Sequence, residues 1–394
     1  MERASRGPGQ LRVRGPRAGL SGRRREATGR PIRPRWVTYQ RILVTVTPGG
    51  YVVALRDKTV DSLRGIACIL LVTMHTAQST AAAQGAVGGA VEWYAESLVP
   101  LRMPLFAFLA GVVYAWRPLD DRRAYGAFIG KKVQRLLVPY VIFVPIVAVA
   151  HIALGFGNQP PADEWRWFVY SWGPYWFLLA TFWVYAAVAL IDSFGLLARF
   201  RNVAILFAGL LAVAMSVDLQ LVVDPLQLAS AVYLGLFFTA GLAATRFGWR
   251  DMGRAHALGA AGVTIALLLH TQLVYFGAWS IAPNPRQDIL GISLGIAFPM
   301  AFIGLGLKSS ALAWIGNYSS GIFLLHPLTM AAARGVLHVL GVDSVLLDVV
   351  ATSAAGLVGS VACIVVMRRA AIGRIALGER TKVPAMVPRR PRAE

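Results

Sequence analysis

Ten apolar stretches set the limits on what this chain can fold into. They run approximately over residues 61–83, 96–116, 136–156, 175–197, 203–217, 226–245, 257–280, 288–307, 313–335 and 345–367. A helix of about 20 apolar residues crosses the roughly 30 Å of bilayer hydrocarbon, so the expected fold is all-α, a polytopic membrane protein of about ten transmembrane helices. The fifth stretch is short and the ninth contains Pro327, which makes these two the least regular of the set. Composition agrees. With 56% hydrophobic residues, 15% charged residues and a mean hydropathy of +0.57, a disordered chain is excluded and a soluble enzyme is not expected.

The chain carries a net charge of +20, which would raise nucleic acid as a partner if the charge lay on a folded face. It does not lie there. Residues 1–58 hold 14 basic and 3 acidic side chains (+11), residues 368–394 hold 8 and 2 (+6), and the long apolar middle holds 17 and 14 (+3). Basic flanks around apolar spans are the mark of cytoplasmic segments, so no nucleic acid is expected. Alternate loops also separate by charge. Placing both termini in the cytoplasm gives inner loops totalling +9 (117–135, 198–202, 246–256 and Lys308) and outer loops totalling −7.

The expected organisation is a basic, disordered tail over 1–56, a membrane domain over 57–370 and a basic cytoplasmic tail over 371–394. The first 50 residues, rich in Arg, Gly and Pro, show no apolar periodicity, and a true start of translation near Val52 is one reading of them. Cys68 and Cys363 both sit in apolar runs, so neither a disulfide framework nor a zinc site is expected, and no metal is implied. No internal repeat of 20–50 residues points to an inverted-repeat transporter.

Ionisable side chains inside hydrocarbon are costly, and those that persist usually face a bundle interior or a wet cavity. Asp61, Arg64, His75, Arg102, Asp192, His270, His326 and Arg334 fall at or within the spans. Asp61 and Asp192 lie near cytoplasmic ends, where solvation would suffice, and Arg102 and Arg334 are placed to snorkel to the outer interface. Arg64 and His75 are eleven residues apart, three helical turns, which puts them on one face with a rise of about 16 Å. That face continues through Asp61, Cys68, Leu71 and Gln78 and calls for a water-accessible cavity opposite it. Imidazole is suited to proton transfer near neutral pH, so His75 is a candidate general base for a hydroxyl nucleophile; the alternative is a histidine hydrogen-bonded between helices. Lys131, Lys132 and Arg135, at the start of the third span, can hold phosphates or can simply anchor that helix at the cytoplasmic surface.

The segments DSLRGIACILLVTMHTAQ, MPLFAFLAGVVYAW, FIGKKVQRLLVPY, YWFLLATFWVY and IGNYSSGIFLLHPL resemble, in order, the acyltransferase-3 family of multi-pass membrane O-acyltransferases, with the fucose 4-O-acetylase-like branch the nearest in character. The likeness covers about residues 57–370. It implies transfer of an acyl group, acetyl as the expected one, from cytoplasmic acyl-CoA to a hydroxyl of a cell-surface or lipid-linked saccharide at a bacterial inner membrane. It implies that His75 is the catalytic histidine and Arg64 its motif partner. The family's Arg-x-x-Arg pair falls on Lys132 and Arg135, with Lys in place of the first Arg, so charge is kept there while the bidentate fork is lost. Lys131 is a candidate to share that role. For the oxyanion the candidates are Arg102, Ser319, Ser320 and His326, and Tyr175 and Trp176 are placed to stack on a sugar. Direct attack by the acceptor and transient acylation of His75 remain two open routes. The competing classes are a glycan or lipid transporter with Arg64 and His75 on its path, and an inactive partner in an envelope assembly.

Overall fold

The computed structural model of the chain describes residues 44–46, 52–54, 57–84, 89–119, 121–154, 159–216, 223–277 and 288–379. The chain divides into two units, Met1–Leu55 and Arg56–Glu394. In the first, Val44–Val46 pairs antiparallel with Val52–Ala54, with Val44 opposite Ala54. Secondary structure was not expected there; β-branched runs on both sides of Pro48-Gly49-Gly50 are the sequence cause. The rest of the proposed tail, and the reading of a start near Val52, lie mostly outside the described residues.

The described residues of the second unit are helical and connecting segments. Among the described residues, eight helices are long and apolar enough to cross a membrane. The first is α1, Lys58–Gln84. The second span, Ala90–Ala115, joins α2 (Ala90–Ser97) to α3 (Arg102–Ala115) through a tight turn at Val99–Leu101 that contains Pro100. The third, Arg122–Ala153, comprises α4 (Tyr125–Lys132), a π-helical turn at Val133–Leu137 and α5 (Val138–Leu154). After the short α6 (Glu164–Val169) come α7 (Trp176–Ser193), α8 (Phe200–Ser216), α9 (Leu228–Arg246), α10 (Arg254–Tyr275) and α11 (Ile289–Gly304). Of these, α8 and α11 are apolar but only 17 and 16 residues long. The predicted ninth span divides into α12 (Ser310–Gly316) and α13 (Ser319–Val339), and α13 continues through Pro327. The last span joins α14 (Val345–Ala354) to α15 (Ser360–Met367) through a second π turn, and α16 (Ala371–Ala376) follows.

The first span is the centre of the bundle and α10 its periphery: 67% of the most apolar window of the first is buried, against 17% for α10. Small residues allow the central helices to touch through their backbones. A Cβ on Gly65 would lie 2.0 Å from the Leu312 carbonyl oxygen, and one on Gly316 would lie 1.9 Å from that of Asp61, so α1 and α12 are in direct main-chain contact. Gly111 and Gly241 join α3 to α9 in the same way.

Three of the charged residues expected at solvated or interfacial positions are instead fixed inside the bundle, with Asp61 a partial fourth. Asp192 is 4% exposed and accepts hydrogen bonds from Arg246 Nη1 (2.7 Å), the Tyr114 hydroxyl (2.8 Å) and the Leu119 amide (3.2 Å), tying α3, α7 and α9 together. Arg334 is partly buried and paired; it donates to Asp348 at 2.9 and 3.1 Å and to the Thr80 hydroxyl at 3.1 Å. Arg102 is buried and donates from Nη2 to the carbonyls of Tyr94 and Ala95, both at 2.8 Å. Asp61 is also buried, and Arg64 Nη1 donates to it at 2.8 Å. The physical reason is common to all: in hydrocarbon a charge without a partner costs far more than one that is paired.

Candidate active site

A cavity of about 410 Å³ opens among α1, α3, the third span, α7, α13 and the chain just after α16. Its cations are Arg64, Lys132 and Arg135, and the Ser319 and Ser320 hydroxyls stand at the start of α13. Apolar walls come from Phe106, Leu109, Ala110 and Val113, which follow the three-and-four spacing of one face of α3, and from Phe177, Leu178 and Leu324. Five of the residues singled out in the sequence, from three distant segments, are thereby gathered around one space.

Local structure explains the placement of the cations. The third helix does not begin near residue 136; it begins at Tyr125, so Lys131, Lys132 and Arg135 lie well inside it. The π turn over Val133–Leu137 interrupts α-helical phase between Lys132 and Arg135, a distortion often found at functional sites. Lys132 Nζ lies 3.3 Å from the centroid of the Tyr185 ring and 5.1 Å from that of Phe128, an aromatic support that holds a cation in an apolar setting. Lys131 is exposed and does not line the cavity, so it takes no part in this cluster. Arg64 is oriented by Asp61 one turn earlier on α1, and the Gly65–Leu312 contact fixes the helix on which it stands.

At the inner end three phenyl rings meet. Phe177 and Phe323 have centroids 5.5 Å apart, Phe106 and Phe177 5.9 Å, and Phe106 and Phe323 6.4 Å. On α13, one turn beyond Phe323, the His326 ring lies 6.1 Å from it and stacks on His75 of α1 at 5.3 Å with an interplanar angle of 27°. Neither imidazole lines the cavity; Phe323, one of the three rings of this phenylalanine partition, is the one that adjoins His326. His326 Nδ1 is 3.0 and 2.9 Å from the carbonyls of Ile322 and Phe323, which only accept, so Nδ1 carries the proton. Its buried Nε2 has no hydrogen-bond partner among the described residues. His75 is half-buried. Arg102 Nε is likewise buried and without a hydrogen-bond partner.

The residues named from the sequence thus form two groups. Arg64, Lys132, Arg135, Ser319 and Ser320 surround the cavity, while His75, His326 and Arg102 are not among its lining residues. Trp176 is half-buried beside Phe177, with centroids 6.1 Å apart, and lines neither. Tyr175 is not available to stack on a sugar: it is fully buried and its hydroxyl donates to the Leu324 carbonyl at 2.7 Å. Sequence reasoning missed Phe106, Phe177 and Phe323, because aromatic residues in a membrane span carry no signal that separates a partition from ordinary core. It also missed Leu377, which lines the cavity from a segment taken as tail.

Residues 57–369 match the profile of the acyltransferase domain of the acyltransferase-3 family. No curated protein and no solved structure matches the chain. The match extends over every helix that lines the cavity, leaving out only Leu377 of its lining, and a chain matched over most of its length in this way belongs to the acyltransferase-3 family of multi-pass membrane acyltransferases.

Proposed function

We propose that this protein is an acyl-CoA-dependent O-acyltransferase of a bacterial inner membrane that moves an acyl group, acetyl first among them, to a hydroxyl of a cell-surface or lipid-linked saccharide. The observation that supports it best is a three-cation cavity with an apolar wall, close to an imidazole pair of which His326 is buried. The excess of Lys and Arg in alternate loops supports a cytoplasmic rim, where coenzyme A is available. Its phosphates would be held by Arg64, Lys132 and Arg135 as charge-assisted contacts. The pantetheine arm would lie along Phe106, Leu109 and Val113, and the rise of about 16 Å between Arg64 and His75 suits a chain of that length. The thioester would pass or displace the Phe106–Phe177–Phe323 partition to reach the histidines.

There His75 accepts the proton of the acceptor hydroxyl as its oxygen attacks the thioester carbonyl. The tetrahedral oxyanion is stabilised by Arg102, the C–S bond breaks, and the departing thiolate takes up the proton from His75. His326, fixed as the Nδ1–H tautomer, orients the His75 ring by stacking. An apolar, water-poor setting protects the thioester from hydrolysis. The resemblance to the fucose 4-O-acetylase-like branch favours acetyl and a sugar.

Thermal stabilisation of the detergent-purified protein by coenzyme A and acetyl-CoA tests this, with the Lys132→Ala/Arg135→Ala double variant alongside. A rise in midpoint that the double variant loses is expected. No rise for the wild type at millimolar ligand would overturn the donor assignment and make transport of a glycan or lipid the hypothesis to test next.

A further inference from the structure

The cavity has one wall outside the family match. α16 begins just past residue 369, and Leu377 after it is 4% exposed and faces the cavity. Residues 371–379 of the expected cytoplasmic tail are therefore packed against the bundle; residues 380–394 lie outside the described residues. Two glycines permit the docking. A Cβ on Gly373 would lie 2.1 Å from the Met367 carbonyl oxygen, so α16 folds back tightly on the end of α15. Gly378 has φ +68°, and a Cβ there would meet the Arg135 carbonyl oxygen at 2.8 Å and its Cα at 3.0 Å. The segment thus rests directly on the π turn that carries the rim cations.

An ion pair fastens it. Arg368 donates to Glu379 Oε1 from Nε (2.9 Å) and Nη2 (2.6 Å). The same guanidinium lies 5.4 Å from the Tyr318 ring centroid, one residue before Ser319 of the cavity. Arg374 donates to the Arg368 carbonyl at 3.2 Å, which holds the turn. Arg368 and Glu379 do not line the cavity themselves; they adjoin it through Gly378, which meets the Arg135 backbone, and through Tyr318, which precedes Ser319. The two side chains are 37% and 32% exposed, and an ion pair so hydrated is weak. A phosphate offers a guanidinium the same planar, two-point contact with more charge.

We propose that Ala371–Glu379 is a wall of the donor site and that Arg368 is a further phosphate-binding residue, held by Glu379 until a phosphate of the donor displaces that carboxylate. The inference rests on the acyl-CoA reading of the cavity.

Coenzyme A binding to the full-length, detergent-purified protein tests it, measured for the wild type, Arg368→Gln and Glu379→Gln, each with its thermal midpoint in the absence of ligand. Arg368→Gln should weaken binding by about tenfold, the loss of one charge-assisted phosphate contact. Glu379→Gln should tighten it several-fold, because the competing carboxylate is gone while size and hydrogen-bonding capacity are kept. Equal weakening in both variants would overturn the proposal, since the pair would then only brace the wall. Wild-type binding that neither variant alters would overturn it as well, leaving the donor site intact. No binding by the wild type would remove the donor site itself, and the role of this segment with it.

Discussion

Replacing Gly65 by alanine probes how the cavity is held together. The added Cβ would lie 2.0 Å from the Leu312 carbonyl oxygen, 2.8 Å from its carbon and 3.0 Å from its Cα. All three are backbone atoms of α12, so no rotamer change relieves the overlap. Moving the oxygen from 2.0 Å to the 3.0 Å that Cβ atoms essentially never undercut requires α1 and α12 to part by about 1.0 Å. Overpacking in a tight core costs typically ~1–3 kcal/mol, and a contact with no flexible member belongs at the top of that range, about 3 kcal/mol. For a large domain this corresponds to a fall in Tm of roughly 6 °C. Gly130→Ala is the matched control. Nothing lies within 4 Å of a Cβ there, so the same substitution in a helix should stabilise by about 0.5–1 kcal/mol. Thermal unfolding of both variants in detergent, followed by tryptophan fluorescence, gives the two signs side by side. Because Arg64 adjoins Gly65 and α12 leads into Ser319, coenzyme A affinity should fall in Gly65→Ala as well. A Gly65→Ala midpoint at or above that of the wild type would refute main-chain contact between α1 and α12.

Other consequences are equally open to measurement. His75→Ala should lower the rate of acyl transfer by about 10²–10⁴-fold with little change in thermal midpoint, and retained transfer would rule out His75 as the base. Asp192→Ala leaves Arg246 without its carboxylate inside the bundle and should cost about 3–5 kcal/mol, read as a large drop in midpoint; a small drop would mean that water reaches the pair. Asp57, outside the spans, caps α1 by accepting from the Thr59 and Val60 amides at 2.9 and 3.3 Å and pairs with Arg250. Burial acts to raise its carboxyl, but the hydrogen bond and charge of Arg250 and the two amides outweigh this and hold it below the ordinary value of 3.8. A carboxyl held low in the folded state stabilises that state above the unfolded pKa, and the contribution is lost as pH falls through the folded pKa. The deficit of Arg250→Ala, about 0.5–1 kcal/mol for so exposed a pair, should therefore be complete at neutral pH and vanish below 3.8; a deficit that persists in acid would refute it.

Length and apolarity of segments were enough to place the eight membrane-length helices and the two shorter apolar ones, of the ten expected, to within a few residues at most ends, because a span must satisfy its own backbone and present apolar side chains whatever its neighbours are. The eleven-residue interval from Arg64 to His75 likewise fixed two residues on one face of one helix, since helical phase is local. The ends failed where side chains beyond the span still formed helix: the second span begins at Ala90 and the third near Arg122, because polar and basic residues such as Glu92, Lys131 and Lys132 lower hydropathy without disfavouring helix.

Contacts between distant segments were beyond the sequence. That Asp192 meets Arg246, that Arg334 meets Asp348, and that His326 stacks on His75 depend on which helices adjoin, and this is decided by close approaches such as Gly65 to Leu312 and Gly111 to Phe238. The same packing closes the phenylalanine partition and returns Leu377 to the cavity across the π turn. By itself the sequence determined that the chain is a multi-pass helical protein with a histidine and an arginine along one helix face, because hydrophobic transfer and helical period act residue by residue. Only the tertiary structure decided which cations share one cavity, what separates them from the imidazoles and what covers the rim, because these follow from steric fit between helices far apart in the chain.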